Sequence, residues 1–314
     1  MMLLYEHAQE SFGKPVQEWR PGVPIYDPSD TAYRLALEYD ETEAGVTWEQ
    51  RFNDFLSLPE SSSVTSLVIG VWGDTSGPLG DSSAVVNTLS QASAKLPALR
   101  ALFIGDIISE EFEISWIEQS DMGPLFVAYP ELEHFRVRGG NKLRFGSLNH
   151  SRLRSLVVES GGLDVSVVRD VTSSSLPELE HLELWLGDED YGANAEMVDL
   201  APILSGKLFP KLRYLGLRDT GLADAIAAAV AHSPLLERLR VLDLSLGTVS
   251  DDGAAALLAS PGIKNLEFLD LHHHYCSDQM VSKLEGLGIK LDTTDVQEPD
   301  VYDGEANRYV AVGE

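Results

Sequence analysis

Three consecutive histidines, His272 to His274, stand beside Tyr275 and Cys276 and have the most obvious chemical potential in the sequence. Imidazole and thiolate groups bind zinc and other transition metals. The histidines follow a predicted strand, along which neighbouring side chains point to opposite faces, so they need a sharp turn to share one ion. Polar side chains at the mouth of a loop are the simpler interpretation, and we expect neither a bound metal nor another cofactor.

No other group of residues forms a complete catalytic site. The sequence contains no G-x-S-x-G nucleophile elbow, no G-x-x-x-x-G-K-[S/T] phosphate loop and no G-x-G-x-x-G dinucleotide motif. The acids between Glu110 and Asp121 are typical of a solvated helix start, because the helix dipole favours negative charge there. We therefore expect a protein without enzymatic activity. A metal-dependent enzyme built on His272 to Cys276 is the least favoured alternative.

A hydrophobic phrase with the spacing L-x-x-L-x-L recurs eight times and organises most of the chain. The central hydrophobic residues of the eight phrases are Leu67, Leu102, Phe135, Leu156, Leu182, Leu215, Leu242 and Leu269. Successive central residues are 21 to 35 positions apart. Such a period predicts a solenoid, in which each repeat buries its apolar face against its neighbours.

The phrase resembles the leucine-rich repeat family, and it is most similar to the helix-containing, ribonuclease-inhibitor-like branch, in a bacterial-type form. The resemblance covers roughly residues 60 to 291. It implies an α/β fold with an open, curved parallel sheet on the concave side, helices on the convex side, and a cap at each end. The family's usual Asn or Cys, three positions after the last Leu, is missing here. Gly140, Gly161, Gly187 and Gly247 stand at four of these positions, where we expect turns with positive φ.

Helices are predicted between the phrases. Leu222, Ile226 and Val230 recur at helical spacing, and Ser250 precedes two acids in the manner of a helix N-cap. The chain then divides into an N-terminal capping segment at residues 1–60, a solenoid of about eight repeats at residues 61–291, and an acidic C-terminal tail or cap at residues 292–314.

An α/β enzyme barrel would also alternate strands with helices. The strands of a barrel are covered on both faces and are apolar almost throughout. Here polar residues such as His134 and Arg136 alternate with the apolar ones. One face of each strand is therefore predicted to face water, and the pattern favours a solenoid.

The composition limits the class of partner and the compartment. The chain is 44% hydrophobic and 23% charged, as globular proteins are, and its 50 acidic and 23 basic residues give a net charge of −27. Nucleic acids and anionic membranes would repel such a surface. The single cysteine, Cys276, excludes an internal disulfide and is typical of a reducing compartment. No apolar run is long enough for a membrane span, so a soluble, cytoplasmic protein is predicted.

The polar side of the predicted strands is the best candidate for a binding surface. Alternation places on the concave face Arg136, Arg138, Glu159, Glu183, Trp185, Arg218, Asp243, Asp270 and His272. Exposed Arg and Trp are enriched in binding hot spots. The alternative is that Arg136 and Arg138 pair internally with Glu159 and Glu183 across the strands. We predict an interaction scaffold whose protein partner carries a basic patch. The other possibility is a regulator of a nucleotide-binding enzyme such as a small GTPase.

Overall fold

The computed structural model describes residues 4–77, 79–302 and 304–313, without the side chain of Glu305. Backbone contacts divide the chain into two compact units. The first unit runs to Val158 and includes Ser173–Leu176, and the second comprises Glu159–Thr172 and the chain from Pro177 onward. Among the described residues, no helix has both the length and the apolar character needed to cross a membrane.

The first unit is built on a sheet with helices between its later strands. Its strands are β1 (Glu10–Ser11), β2 (Lys14–Glu18), β3 (Ala32–Leu35), β4 (Ser66–Ile69), β5 (Ala101–Ile104), β6 (His134–Arg138) and β7 (Ser155–Glu159). Its helices are α1 (Tyr39–Glu43), α2 (Trp48–Leu56), α3 (Ser83–Gln91) and α4 (Gly123–Ala128). Strands β2 to β6 pair in parallel and in sequence order, whereas β1 folds back antiparallel onto β2.

The second unit alternates helices with strands. Its elements are α5 (Val165–Thr172), β8 (His181–Gly187), α6 (Met197–Leu204), β9 (Tyr214–Thr220), α7 (Ala223–Ala231), β10 (Val241–Asp243), α8 (Asp251–Ala259), β11 (Phe268–Asp270), α9 (Asp278–Glu285), β12 (Lys290–Asp292), β13 (Asp300–Tyr302) and β14 (Glu305–Asn307). Strands β8 to β12 are parallel neighbours, and β13 and β14 form a separate antiparallel hairpin.

The repeated leucines form the core of both units. The central residue of every phrase lies in a strand and has no exposed surface. In the second unit, Leu182, Leu215, Leu242 and Leu269 stand opposite one another on adjacent strands, and Leu291 follows them in register. The predicted fold class is therefore confirmed: each unit is an α/β leucine-rich repeat solenoid.

Helix α2 in the N-terminal part begins with a capping box and buries one aromatic face. The Thr47 side chain accepts a hydrogen bond from the backbone N–H of Gln50, and the Gln50 side chain bonds back to Thr47, which starts α2 with a capping box. Trp48, Phe52 and Phe55 lie on one face of α2 and are buried. The assignment of residues 1–60 as a separate cap stays a prediction, and residues 1–3 lie outside the described part.

Aspartates stabilise the strand ends in place of the missing asparagines. The side chains of Asp243, Asp270 and Asp292 each accept a hydrogen bond from the backbone N–H two residues later, at 2.9 to 3.0 Å. A carboxylate that bonds its own backbone in this way is a common turn device. This local turn contact is repeated on three consecutive strands.

The expectation of positive φ at four glycines is correct at only one of them. Gly187 has a φ of +77°, whereas Gly140, Gly161 and Gly247 do not have positive φ. In the later repeats the left-handed residue stands one position earlier in the repeat than Gly187 and carries a side chain; these residues are Asp219, Leu246 and His273.

The helices of the second unit begin as predicted, and aspartates link them from one repeat to the next. The Ser250 side chain caps α8, and its backbone N–H donates to Asp224 of α7 at 2.8 Å. Ser277 caps α9 and donates in the same way to Asp251 of α8 at 2.8 Å. The acidic segment between Glu110 and Asp121, by contrast, contains a single 3-10 turn at Ile114–Trp116.

Candidate functional site

In the second unit, one face of the sheet carries the polar side chains of β8 to β12; we call it the outer face. Strand register arranges its side chains in rows. The first row is composed of the residue that precedes the central leucine in each repeat, and it is open to solvent in part. Its members are His181, Tyr214, Val241, Phe268 and Lys290.

Ring contacts order this first row. The His181 imidazole stacks on the Tyr214 ring with their centroids 3.8 Å apart. At the other end, the Lys290 ammonium lies 4.4 Å from the centroid of the Phe268 ring. The alternation of side chains places this row on the polar face as well, although the site residues predicted from the sequence come only from the next two positions of each strand.

A buried ion pair dominates the middle of the outer face. The guanidinium of Arg218 donates to Glu183 at 2.7 Å and lies 4.8 Å from the Trp185 ring. The Trp185 indole N–H donates to the same Glu183 carboxylate at 2.7 Å. Burial alone would raise the pKa of Glu183, but the charge of Arg218 and these hydrogen bonds hold it well below its usual range.

Asp243 extends this network to the next strand but one, in the same register row as Glu183. The Tyr214 hydroxyl donates to Asp243 at 2.6 Å, and the Arg218 Nε lies 3.4 Å from the same carboxylate. Burial raises the pKa of Asp243 and outweighs the opposing charge of Arg218. Gly216 stands between Glu183 and Asp243 in the register, and a Cβ there would lie 3.0 Å from Glu183 Cγ. The glycine therefore leaves room for the side chains that form the network.

The expectation that these side chains face water is wrong. Trp185 is 1% exposed, Arg218 6%, Glu183 8% and Asp243 4%. Glu183 pairs internally with Arg218, whereas the alternative from the sequence named Arg136 and Arg138 as the arginines that pair internally. The reason is that adjacent strands bring their long side chains together, so that they cover one another. A role for these residues in partner binding stays a prediction.

The remaining predicted arginines belong to the first unit and pack against Phe103. The Arg138 guanidinium lies 5.7 Å from the Phe103 ring centroid and donates to the Ile107 carbonyl at 2.9 Å, and the side chain is 2% exposed. Arg136 is half-buried and lies 4.3 Å above the same ring. Glu159 is 1% exposed. Of these three predicted site residues, only Arg136 has appreciable contact with solvent.

The chain's own N-terminal segment covers the corresponding sheet face of the first unit. Ala32, Val68 and Phe103 form an apolar cluster on that face, and Ala8 and Val16 pack against it. The apolar residues on this face of the early strands are thus buried.

A second buried ion pair anchors the N-terminal segment. Arg34 donates to Asp106 at 2.8 Å, and Asp106 accepts the backbone N–H of Ala8 at 3.1 Å. The His7 imidazole lies 3.6 Å from Asp106 and 3.4 Å from Glu111. Hydrogen bonding to these two carboxylates raises the pKa of His7 to about 9. Burial alone would raise the pKa of Asp106, but His7 and Arg34 lower it to about 2.

The histidine run does not converge on one point. His272 lies on the outer face beside Asp270 at 2.9 Å, whereas His273 and His274 are buried and contact the carbonyls of Gly247 and Thr293. Cys276 is also buried, and burial raises the pKa of its thiol to about 12. The cluster proposed from the sequence is therefore divided between the outer face and the interior.

Asp270 and His272 instead meet Asp292 of the next strand. Register places Asp270 opposite Asp292, and one potential ligand atom from each of the three residues lies within 4.8 Å of the others. All three side chains are half-buried. This group lies at the end of the outer face formed by β11 and β12.

The C-terminal residues dock on the second unit at the ends of its strands. Arg308 donates to Asp224 at 2.9 Å, the Ala311 N–H to Leu246 at 2.8 Å, and the Val312 N–H to Asp219 at 2.9 Å. The segment is thus bound to the solenoid without adding an edge strand. The division at residues 292–314 stays a prediction, and Asp303 and Glu314 lie outside the described residues.

The chain is similar to solved structures. It aligns with the crystal structure of a Bacteroides fragilis protein at 36% sequence identity and a TM-score of 0.79, over 84% of this chain and 74% of that one. The crystal structure of an internalin from Listeria monocytogenes matches at 15% identity and a TM-score of 0.38, over 76% of this chain and 56% of the internalin. No protein-family model and no curated protein matches the chain.

Proposed function

The chain belongs to the same family as the Bacteroides fragilis protein, and on that premise we propose that it is a non-enzymatic scaffold that binds a protein partner on the outer face of the second unit. The first row of that face is the observation that supports the proposal. It combines rings that are partly open to solvent with a lysine and a histidine, all held on adjacent strands. Aromatic side chains ordered by stacking contribute contact area at low entropic cost.

The buried network of Glu183, Arg218 and Asp243 also holds the first row of the outer face in place. The Tyr214 hydroxyl bonds both Glu183 and Asp243, at 3.2 and 2.6 Å, which holds its ring in place in the first row. A surface whose side chains are already ordered loses less conformational entropy on binding. The net charge of −27 favours a partner with a basic patch and speeds its encounter at low salt.

The finer assignments are part of the same proposal. The helices α5 to α9, one in each repeat of the second unit, favour the ribonuclease-inhibitor-like branch. The absence of enzymatic activity and a cytoplasmic location are inferred from sequence motifs and composition, and we retain both as proposals.

Affinity capture tests the binding surface. Full-length protein and a Phe268→Ser, Lys290→Ala variant are immobilised and exposed to native cell extract, and the captured proteins are identified by mass spectrometry. We expect the variant to lose a set of proteins that the unmodified chain retains. A matched control is Val198→Ser, which changes a 71%-exposed residue of α6. Equal capture by all three proteins would reject the outer face as the binding site.

The alternative of a GTPase regulator predicts nucleotide dependence. No contact among the described residues favours it over a constitutive scaffold. Repeating the capture with GTP and with GDP would distinguish the two, because only the regulator is expected to bind its partner in one nucleotide state.

A further inference from the structure

Asp270 of β11, Asp292 of β12 and His272, two residues beyond the end of β11, bring three metal-ligating side chains together. Strand pairing places the two aspartates opposite each other, and His272 follows Asp270 by two positions, on the same face. The three potential ligand atoms lie within 4.8 Å of one another. Because strands hold their side chains more rigidly than loops do, the two aspartates have the support that a binding site requires, and the Asp270 turn contact holds the His272 backbone beside them.

Each aspartate uses one oxygen for the turn and leaves the other available. Oδ1 of Asp270 accepts the His272 N–H at 3.0 Å, and Oδ1 of Asp292 accepts the Thr294 N–H at 2.9 Å. Neither Oδ2 atom has a hydrogen-bond or ion-pair partner among the described residues. Two oxygens are thus free to act as ligands without breaking the turns that position them.

In the neighbouring repeat, the guanidinium of Arg218 lies beside the carboxylate that is equivalent to Asp270. Asp243 stands opposite Asp270 in the register and makes the same turn contact, but its Oδ2 lies 3.4 Å from Arg218 and accepts the Tyr214 hydroxyl. Asp270 and Asp292 have no Lys or Arg at ion-pair distance within the described part of the chain. Burial alone would raise the pKa of Asp292, but the Thr294 hydrogen bonds lower it, with smaller contributions from His272 and Lys290.

From this geometry we propose that Asp270, His272 and Asp292 form a binding site for a divalent first-row transition metal ion. Two carboxylates and one imidazole suit such an ion, because carboxylates alone favour Mg²⁺ or Ca²⁺ and imidazole favours zinc and its neighbours. Ligand bonds of about 2.0–2.2 Å require the ligand atoms to be roughly 3.5 Å apart. The proposed site therefore requires small rotations of the half-buried side chains from their present separation of up to 4.8 Å, with water completing the coordination.

The site is separate from the proposed partner-binding row. It uses the second and third positions of the strands, whereas the partner row uses the first. A basic side chain of a protein partner would also neutralise these carboxylates, so such a partner is the competing occupant of the site.

Metal titration of the tag-free, full-length protein tests the proposal. Protein stripped with a chelator is titrated with Zn²⁺ and with Mn²⁺ by calorimetry. We expect one ion per chain, with the association constant reduced about tenfold or more in Asp292→Asn and in His272→Gln. Asp278→Asn and His232→Gln change an exposed acid and an exposed histidine of the same unit and serve as matched controls without effect.

A spectroscopic measurement keeps the proposal testable if a variant misfolds. In the unmodified protein, one equivalent of Zn²⁺ should shift the imidazole resonances of His272, while those of His7 and His150 in the first unit stay unchanged. Absence of binding up to millimolar ion would overturn the metal site and leave the carboxylates to a basic partner. Stoichiometric binding that persists in both variants would overturn it equally. Neither outcome affects the capture experiment, since Phe268 and Lys290 are not ligands.

Discussion

Arg218 and Glu183 form an ion pair at 2.7 Å between adjacent strands, and both side chains are almost completely buried. Arg240 and Glu267 form a pair at the same distance, also from consecutive repeats, but their side chains are 61% and 63% exposed. The two pairs therefore differ mainly in burial. Breaking a buried pair leaves an unpaired charge in a poorly solvated place, whereas water replaces the partner of an exposed one.

This contrast predicts different stability losses from one kind of substitution. Arg218→Met should reduce the free energy of unfolding by about 3–5 kcal/mol, because the Glu183 carboxylate stays buried without its partner. Arg240→Met should cost less than about 1 kcal/mol. Urea denaturation followed by circular dichroism measures both, and equal losses would contradict the structural role of the Arg218 pair.

The leucine register predicts a second loss of stability. Leu215 has no exposed surface and stands between Leu182 and Leu242 on the neighbouring strands. Leu215→Ala should reduce the free energy of unfolding by about 2–5 kcal/mol, since it removes buried methyl groups and leaves a cavity. Val198→Ala changes a residue that is 71% exposed and should shift it by no more than about 0.5 kcal/mol. Unchanged thermal melting of Leu215→Ala would contradict the register.

Gly187 is required where β8 ends. Its φ is +77°, and an added Cβ would lie 2.1 Å from the carbonyl oxygen of Gly161. Gly187→Ala should therefore cost about 2 kcal/mol or more, from the left-handed backbone and the overlap together. Gly221→Ala is the control, because a Cβ there meets nothing within 4 Å and no positive φ is involved. If the two variants unfold at the same urea concentration, this account of the turn is wrong.

The His7 contacts predict a pH dependence in the N-terminal segment. The pKa of His7 rises from 6.5 to about 9 in the folded protein, so this contact stabilises fully below pH 6.5 and is lost as the pH rises through 9. Asp106 has its pKa lowered from 3.8 to about 2, so its contribution is present above pH 3.8 and is lost as the pH falls toward 2. The N-terminal segment should therefore be held most firmly between pH 3.8 and pH 6.5, where both contributions are complete.

Histidine titration by NMR measures this directly. His7 should titrate near pH 9 in the unmodified protein, and Asp106→Asn should move it toward its ordinary value because the strongest hydrogen-bond acceptor is lost. His150, whose pKa burial lowers, provides an internal reference that the substitution should leave unchanged. A His7 that titrates near 6.5 before any substitution would show that it does not pair with Asp106.

Local spacing was sufficient to predict the repeats. The L-x-x-L-x-L phrase places leucines such as Leu182 and Leu215 on one side of a strand, because side chains alternate along any extended chain. Ser250 and Ser277 are likewise recognisable as caps, since capping depends on residues within one turn. Strands, core residues and these helix starts therefore follow from short stretches of the sequence.

The exposure of the candidate site residues to water depends on contacts between residues that are far apart in the chain. Alternation correctly placed Trp185 and Arg218 on the polar side of the strands, but it carries no information about what covers them. Arg218 is buried by Glu183, 35 residues away, and Asp106 binds Arg34 across 72 residues. Alternation therefore assigns a side chain to a face, whereas its exposure to water depends on which distant side chains the folded chain packs over it.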